Sequence, residues 1–119
     1  MGRHMDDSEL DLLRGTLDLL ILKALAGEPM HGYLVSKWVR SASRNMLNVE
    51  DRALYIALHR LEARKLVKGK WQITEAGRRV KRYELTDAGR KRLTTSASQW
   101  ERYVEAMTYV LRAPETETP

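Results

Sequence analysis

The residues best able to bind a ligand in this 119-residue chain are basic side chains in its second half. Residues 60–92 contain twelve Lys and Arg against four Asp and Glu, a net charge of +8 in a chain whose total is +5. Positive charge concentrated in one part of a small domain predicts a surface that binds a polyanion, although a solvated surface is the simpler alternative. The side chains predicted to make these contacts are Lys68, Lys70, Arg78, Arg79, Lys81 and Arg82.

A helix is predicted just before most of these residues, from about Glu50 to Lys65. Leu54, Ala57, Leu58 and Leu61 recur there at helical spacing and predict its buried side. The other side combines aromatic, aliphatic and basic side chains, namely Arg52, Tyr55, Ile56, His59 and Arg60. Such a mixture is unusual for a face that meets only water, so it predicts contact with another macromolecule. The alternatives are a half-buried Tyr55 and ordinary surface positions for the others.

Beyond this helix the apolar pattern changes to every second residue, which predicts a strand that is buried on one face. Val67, Trp71 and Ile73 alternate with Lys68, Lys70 and other polar residues. Ala76-Gly77 predicts a turn, and a second strand returns with Tyr83 and Leu85 facing inward. The segment is therefore predicted to be a basic β-hairpin. Trp71 is predicted to lie in the core together with Trp38, which stands earlier in the chain.

Three further helices are predicted around this unit. The first begins near Ser8 and ends before Pro29, the second spans about Met30 to Ala42, and the last follows a Thr86 cap. The first helix is apolar on two sides, and the last repeats apolar residues at spacings of three and four, which is typical of a coiled-coil seam. The predicted dimer interface comprises Leu12, Leu19, Leu93, Ala97, Trp100, Val104, Met107 and Leu111. The alternative is that the last helix folds back on its own domain.

This order of elements predicts a mainly α fold with a small β-hairpin: a winged helix-turn-helix at residues 8–86 followed by a coiled-coil-like dimerisation helix at 87–112. Residues 1–5 are interpreted as a cloning scar and residues 113–119 as a disordered tail. A recognition helix about 10–12 Å across fits the major groove of DNA, and the wing reaches the neighbouring backbone or minor groove. Double-stranded DNA and a second copy of the chain are thus the predicted partners.

Four ordered motifs resemble the PadR family of transcriptional regulators. Leu54–Glu62 (LYIALHRLE) resembles its LYPALxRLE motif, and Pro29–Tyr33 contains its HGY element. Arg82–Arg90 (RYELTDAGR) resembles the YxLTxxGR motif after the wing, and Leu13–Leu17 contains the GTL segment. The similarity covers about residues 10–95. Ile56 stands where the family motif usually has Pro, and Arg52-Ala53 where a small pair is common, so no base preference follows from the resemblance.

The resemblance implies a dimeric bacterial repressor whose first and last helices form the dimer, of the subgroup with a single long final helix. It also implies that a small molecule of unknown identity can relieve operator binding. Aromatic residues on the final helices frame a drug-binding pore in some relatives, so Trp100 is a candidate for an effector pocket. A packed interface position is the simpler alternative for Trp100.

Other classes of function have weaker support. A winged-helix protein-interaction module without sequence-specific DNA binding is the main alternative. Catalysis is not predicted, because there is no Cys, no Ser-His-Asp arrangement and no glycine-rich phosphate loop. No metal-ligand spacing or cofactor motif is present, and no apolar run approaches the roughly 18 residues of a membrane span. The expected location is therefore the cytoplasm.

Overall fold

A computed structural model of the chain describes the backbone of residues 7–116 and the side chains of residues 15–116. The described part contains four helices and three strands. In chain order these are α1 (Asp7–Gly27), β1 (Met30–His31), α2 (Gly32–Ala42), α3 (Asp51–Ala63), β2 (Val67–Ile73), β3 (Arg79–Leu85) and α4 (Asp87–Arg112). Three helices, a hairpin and a long final helix confirm the predicted winged helix-turn-helix with an added C-terminal helix. The five residues interpreted as a cloning scar lie outside the described residues.

The core lies where α1, α2 and α3 meet the base of the hairpin. Leu54, Ala57, Leu58 and Leu61 are buried on one side of α3, as their spacing predicts. Their partners come from every other helix and from the sheet. They are Ile21, Leu22, Ala24 and Leu25 of α1, Val35 and Val39 of α2, and Met30, Leu66, Val67, Tyr83 and Leu85 around the hairpin, with Leu93 of α4 partly buried against them. Burial of one face of α3 fixes the direction of its other face.

The sheet has one strand more than predicted. Met30 and His31 do not begin α2; they form β1, which pairs antiparallel with β3 through Met30–Tyr83 and His31–Arg82. The strand order is β1-β3-β2, and α2 begins at Gly32, after an extended His31. The helix predicted from about Met30 therefore begins two residues later, and the strand before it was not predicted. A strand this short has no period of its own, so only the pairing with β3 defines it.

The prediction that two tryptophans lie in the core is wrong. Trp71 is 57% exposed and Trp38 is 36% exposed. The alternation that placed Trp71 on the inner face of β2 is correct, but the hairpin extends beyond the helices that form the core. Val67 at its base is buried, whereas Ile73 near its tip is 77% exposed. The wing is thus anchored at one end and projects into solvent at the other.

The start of α4 is fixed tightly to the body of the domain. Thr86 caps the helix, since its hydroxyl oxygen accepts a hydrogen bond from the Gly89 backbone N–H at 3.0 Å, as the sequence predicts. The same hydroxyl donates to the Lys65 carbonyl oxygen at 2.7 Å. A Cβ at Gly89 would collide with the Leu66 carbonyl oxygen, so only glycine allows this approach. Beyond Arg112, residues 113–116 form neither helix nor strand, and residues 117–119 lie outside the described part.

Candidate nucleic-acid interface

The outer side of α3 forms the floor of a shallow groove. All five side chains predicted for the recognition face line this groove, together with Ala63 and with Tyr83 of β3; they are Arg52, Tyr55, Ile56, His59 and Arg60. Ile56 is 55% exposed although it is aliphatic. The structure therefore brings the predicted recognition residues together beside the wing, and their contact with DNA stays a prediction.

Tyr55 has a structural role in addition to its exposed position. A Cβ on Gly32 would lie 2.8 Å from Cε1 of the Tyr55 ring, so the ring packs closely on the first residue of α2. Glycine at this position lets α2 approach α3 with the aromatic ring between them. Tyr55 thus joins the two helices of the helix-turn-helix while part of its ring stays exposed in the groove.

Arg60 is already engaged within the chain. Its guanidinium donates a hydrogen bond to the Asp18 carboxylate of α1, and both side chains are partly buried. This ion pair ties the recognition helix to the first helix. A phosphate contact by Arg60, which the sequence predicts, would have to compete with Asp18.

The basic residues on the outer face of the wing share one acid. Lys68 Nζ lies 3.2 Å and Lys70 Nζ lies 3.9 Å from the same Glu84 carboxylate oxygen, Oε1. Both lysine side chains are more than half exposed. One carboxylate cannot neutralise two lysines, so this face keeps a net positive charge that can meet phosphate.

The arginines of the wing lie at its tip (Arg78 and Arg79) and in the middle of β3 (Arg82). Within the described part of the chain, Arg78, Arg79 and Arg82 form no ion pair. A turn presents Arg78: its backbone N–H donates to the Thr74 hydroxyl at 3.1 Å, and Gly77 adopts φ +80°. The Arg79 guanidinium lies over the Trp71 ring, 4.2 Å from its centroid, which explains how an exposed indole is partly covered.

Lys81 is arranged differently from the other wing cations. Its Nζ lies 2.8 Å from Oε1 of Glu62 near the end of α3, and its side chain is only 22% exposed. The hydrogen bond between them lowers the pKa of the Glu62 carboxyl and raises the pKa of the Lys81 ammonium. The sequence pattern assigned Glu62 no role, because a partner nineteen residues later in the chain is defined only by the register of the hairpin.

The predicted dimer seam divides into two parts. Leu93 packs against the core of its own chain, and Ala97 and Leu19 are half-buried. Trp100 and the residues beyond it are exposed on an apolar stripe that continues through Val104, Met107 and Leu111. Trp100 lies against Tyr103 with a centroid separation of 5.9 Å. The side chain of Leu12 lies outside the described residues, and pairing through the seam stays a prediction.

Comparison with known proteins now identifies the family. Residues 21–95 match the family described as transcriptional regulator PadR-like. The chain belongs to this family. Its structure also resembles a PadR-family transcriptional regulator from Eggerthella lenta, with 30% identity, a TM-score of 0.74, and coverage of 88% of this chain and 89% of the other.

Two further solved structures agree. A PadR-family transcription regulator from Clostridium difficile is 29% identical, with a TM-score of 0.69 and coverage of 80% of this chain and 97% of the other. A transcriptional regulator from Clostridium thermocellum is 28% identical, with a TM-score of 0.75 and coverage of 82% and 95%. The chain is thus a DNA-binding transcriptional regulator of the PadR family, and the relatives are regulators rather than enzymes.

Two family motifs acquire a packing explanation. The glycine of the HGY element is Gly32, whose missing side chain accommodates Tyr55 of the LYxALxRLE motif. The glycine of the YxLTxxGR motif is Gly89, which lets α4 approach the Leu66 carbonyl oxygen. Residues far apart in the chain therefore meet in pairs at the joints between elements. Across the described residues, no helix is both long enough and apolar enough to cross a membrane.

Proposed function

We propose that this PadR-family protein is a homodimeric, sequence-specific repressor that binds a pseudo-palindromic operator. The observation that carries the proposal is the continuity of two surfaces. The groove on α3, with Arg52 and His59, shares Tyr83 with the wing, whose tip carries Arg78 and Arg79 without acidic partners among the described residues. A helix in this position can contact base edges, while the neighbouring cationic wing contacts the phosphates beside them.

In this proposal the two parts of the interface have different tasks. α3 enters the major groove, where Arg52, Ile56 and His59 meet base edges and determine sequence preference. The wing lies along the backbone or the minor groove, where Arg78 and Arg79 supply affinity that depends little on sequence. Tyr55, Lys68 and Lys70 border these contacts.

A second copy of the chain is the next part of the proposal. Pairing through α4 and α1 would place two α3 helices on one face, with half-sites roughly 10 bp apart, about one turn of DNA. Exposed apolar side chains on α4, including Trp100 and Met107, provide the surface that such pairing would bury. Release of the operator by a small molecule is the last part of the proposal. Quenching of tryptophan fluorescence in a screen of phenolic and cationic drug-like compounds, with Trp100→Phe as the control that should lose the response, tests whether Trp100 senses such a molecule.

The test of DNA binding is a salt titration. A labelled duplex from the region upstream of the protein's own gene should bind. With about 6–10 phosphate contacts, the affinity should fall by on the order of 10³–10⁵ as salt rises from 50 to 200 mM. Fluorescence anisotropy measures this slope, with an unrelated duplex as the control for specificity. Absence of binding, or binding that is flat across this range, would support the protein-interaction alternative instead.

A further inference from the structure

One carboxylate connects the recognition helix to both strands of the wing. Glu62 lies near the C-terminal end of α3 (Asp51–Ala63). Its Oε1 accepts a hydrogen bond from Nζ of Lys81 on β3 at 2.8 Å, and its Oε2 accepts one from the backbone N–H of Gly69 on β2 at 3.3 Å. A single side chain therefore holds the helix to each of the two strands.

The wing is shaped to allow this contact. A Cβ on Gly69 would collide with Cε of Lys81 in its present position, so glycine leaves room for the lysine stem to cross the sheet here. The ammonium group then lies 5.4 Å from the centroid of the Tyr83 ring and 5.6 Å from that of Trp71. Packed between two rings and bonded to Glu62, Lys81 has little freedom to turn towards a phosphate.

The opposite face of the same hairpin provides a comparison. Glu84 also faces wing lysines, Lys68 and Lys70, and its side chain is 33% exposed against 29% for Glu62. However, Glu84 and both of its partners belong to the wing itself (β2 and β3), whereas Glu62 joins the wing to another element. Two carboxylates of similar exposure thus differ in whether they constrain the position of the wing.

We propose that Glu62 is a positioning residue that holds the wing at a fixed angle to the recognition helix, and that Lys81 serves this clamp and does not contact phosphate. The proposal rests on the proposed DNA-binding function and replaces the sequence prediction for Lys81. With the wing held before DNA arrives, Arg78 and Arg79 are already at the distance from α3 that the duplex requires, and binding does not have to order them.

The decisive experiment compares Glu62→Gln with Glu84→Gln. Each removes one negative charge from the basic segment, so electrostatic attraction alone predicts tighter DNA binding for both. If Glu62 holds the wing in place, the two substitutions should change DNA affinity in opposite directions. Glu84→Gln should tighten binding by roughly twofold as Lys68 and Lys70 are released, whereas Glu62→Gln should weaken it by about threefold to tenfold because the wing is correctly placed only part of the time. Tighter binding by Glu62→Gln would overturn the proposal.

A double-mutant cycle separates positioning from general stability. In an Arg78→Ala, Arg79→Ala background, Glu62→Gln should no longer weaken DNA binding, because the arginines that it positions are absent. Lys81→Arg, which keeps the charge and the donors, should retain most of the affinity and Lys81→Met should not. An equal loss from Glu62→Gln in both backgrounds would contradict the clamp.

A readout without DNA keeps the test independent of the proposed function. Amide hydrogen exchange in the free protein should accelerate across Gly69 and the rest of β2 in Glu62→Gln, while exchange in the core of α3 stays slow. Glu84→Gln should leave Gly69 unchanged. If the wild-type protein fails to bind DNA but this exchange pattern is found, the proposed function fails and the clamp stands. Unchanged exchange at Gly69 would refute the clamp whatever the DNA result.

Discussion

Helices α3 and α4 each keep one face that the core of the chain does not cover, but the two faces differ in chemistry. On α3 the uncovered face mixes Tyr55 and Ile56 with Arg52 and His59, and the cationic wing lies beside it. On α4 the uncovered stripe through Trp100, Val104, Met107 and Leu111 contains no charged residue. Both faces are costly to leave in water alone, yet only the first resembles a surface made for a polyanion.

The difference shows why exposure alone does not identify a partner. An apolar stripe gains free energy chiefly by meeting another apolar surface, and a second copy of α4 offers one with the same period. A mixed face with neighbouring cations gains by meeting phosphates and base edges. The two proposed roles, DNA binding by α3 and dimerisation by α4, can therefore be tested by substitutions in either helix separately.

The largest expected effect comes from placing a charge in the α4 stripe. Val104→Glu should give a monomer, because a carboxylate in a closed apolar seam loses its hydration without a partner. Loss of the second half-site should then lower operator affinity by on the order of 10²–10⁴. Sedimentation measures the mass, and fluorescence anisotropy with a full operator measures the affinity.

Tyr109→Glu is the matched control for this variant. Helical periodicity places Tyr109 on the side of α4 opposite the stripe, where it is exposed and its hydroxyl lies 3.1 Å from the Glu105 carboxylate. The variant should remain dimeric and should bind DNA nearly as the parent does. If Val104→Glu also stays dimeric, the seam is not where two copies meet.

A smaller effect is expected at the tip of the wing. Arg78→Ala combined with Arg79→Ala should weaken binding to every duplex alike, by roughly tenfold to a hundredfold, since the dimer loses four solvent-exposed charge contacts that contribute about 0.2–1 kcal/mol each. The slope of log affinity against log salt should become shallower by about 0.9 for each phosphate that the variant no longer neutralises. The measurement is a salt titration on the operator and on an unrelated duplex.

Substitutions on α3 should change sequence preference, whereas those on the wing should change affinity for every sequence. Ile56→Ala or His59→Ala should alter the ranking of operator variants by about 1–3 kcal/mol per affected base pair while leaving the salt slope nearly unchanged. A competition assay across single-base variants of the operator would reveal this. A change in the salt slope without a change in ranking would mean that α3 contacts the backbone rather than the bases.

The fold was largely predictable because its elements are long and periodic. α3 has the predicted buried residues, and both α3 and α4 have the predicted ends within two residues, since the apolar spacing and the Thr86 cap are local signals. β1 was not predicted because Met30 and His31 become a strand only by pairing with β3. The partner of Met30 is Tyr83, fifty-three residues later in the chain. Local pattern cannot supply that partner.

The grouping of the α3 residues on one face was predictable from the sequence, but the contacts between elements were not. The recognition-face residues were correctly grouped, because one helical face is read directly from the sequence. The period of β2 correctly paired Trp71 with the inner face but could not show that the core ends before it. The charge of the segment likewise gave Lys81 and Arg79 the same predicted role in DNA binding. The register of the hairpin, however, turns Lys81 towards Glu62. Which cations remain free depends on contacts between elements.

The smallest expected effect concerns Arg60, a predicted recognition residue that already forms an ion pair with α1. Asp18→Asn removes the charge that holds Arg60, and both side chains are partly exposed, so the free energy of unfolding should fall by no more than about 1 kcal/mol. If Arg60 transfers to a phosphate in the complex, the same change should tighten DNA binding by roughly twofold. Thermal unfolding and anisotropy measure the two effects.

The loss of one negative charge could by itself tighten binding through the general field, so the cycle with Arg60→Met decides the cause. A local transfer requires Arg60, and the gain from Asp18→Asn should then vanish in the Arg60→Met background. An equal gain in both backgrounds would assign the effect to the field and leave Arg60 as a structural tie between α1 and α3. In that case Arg60 belongs with Lys81 among the cations that shape the interface, and the phosphate contacts concentrate at the wing tip and on the outer lysines.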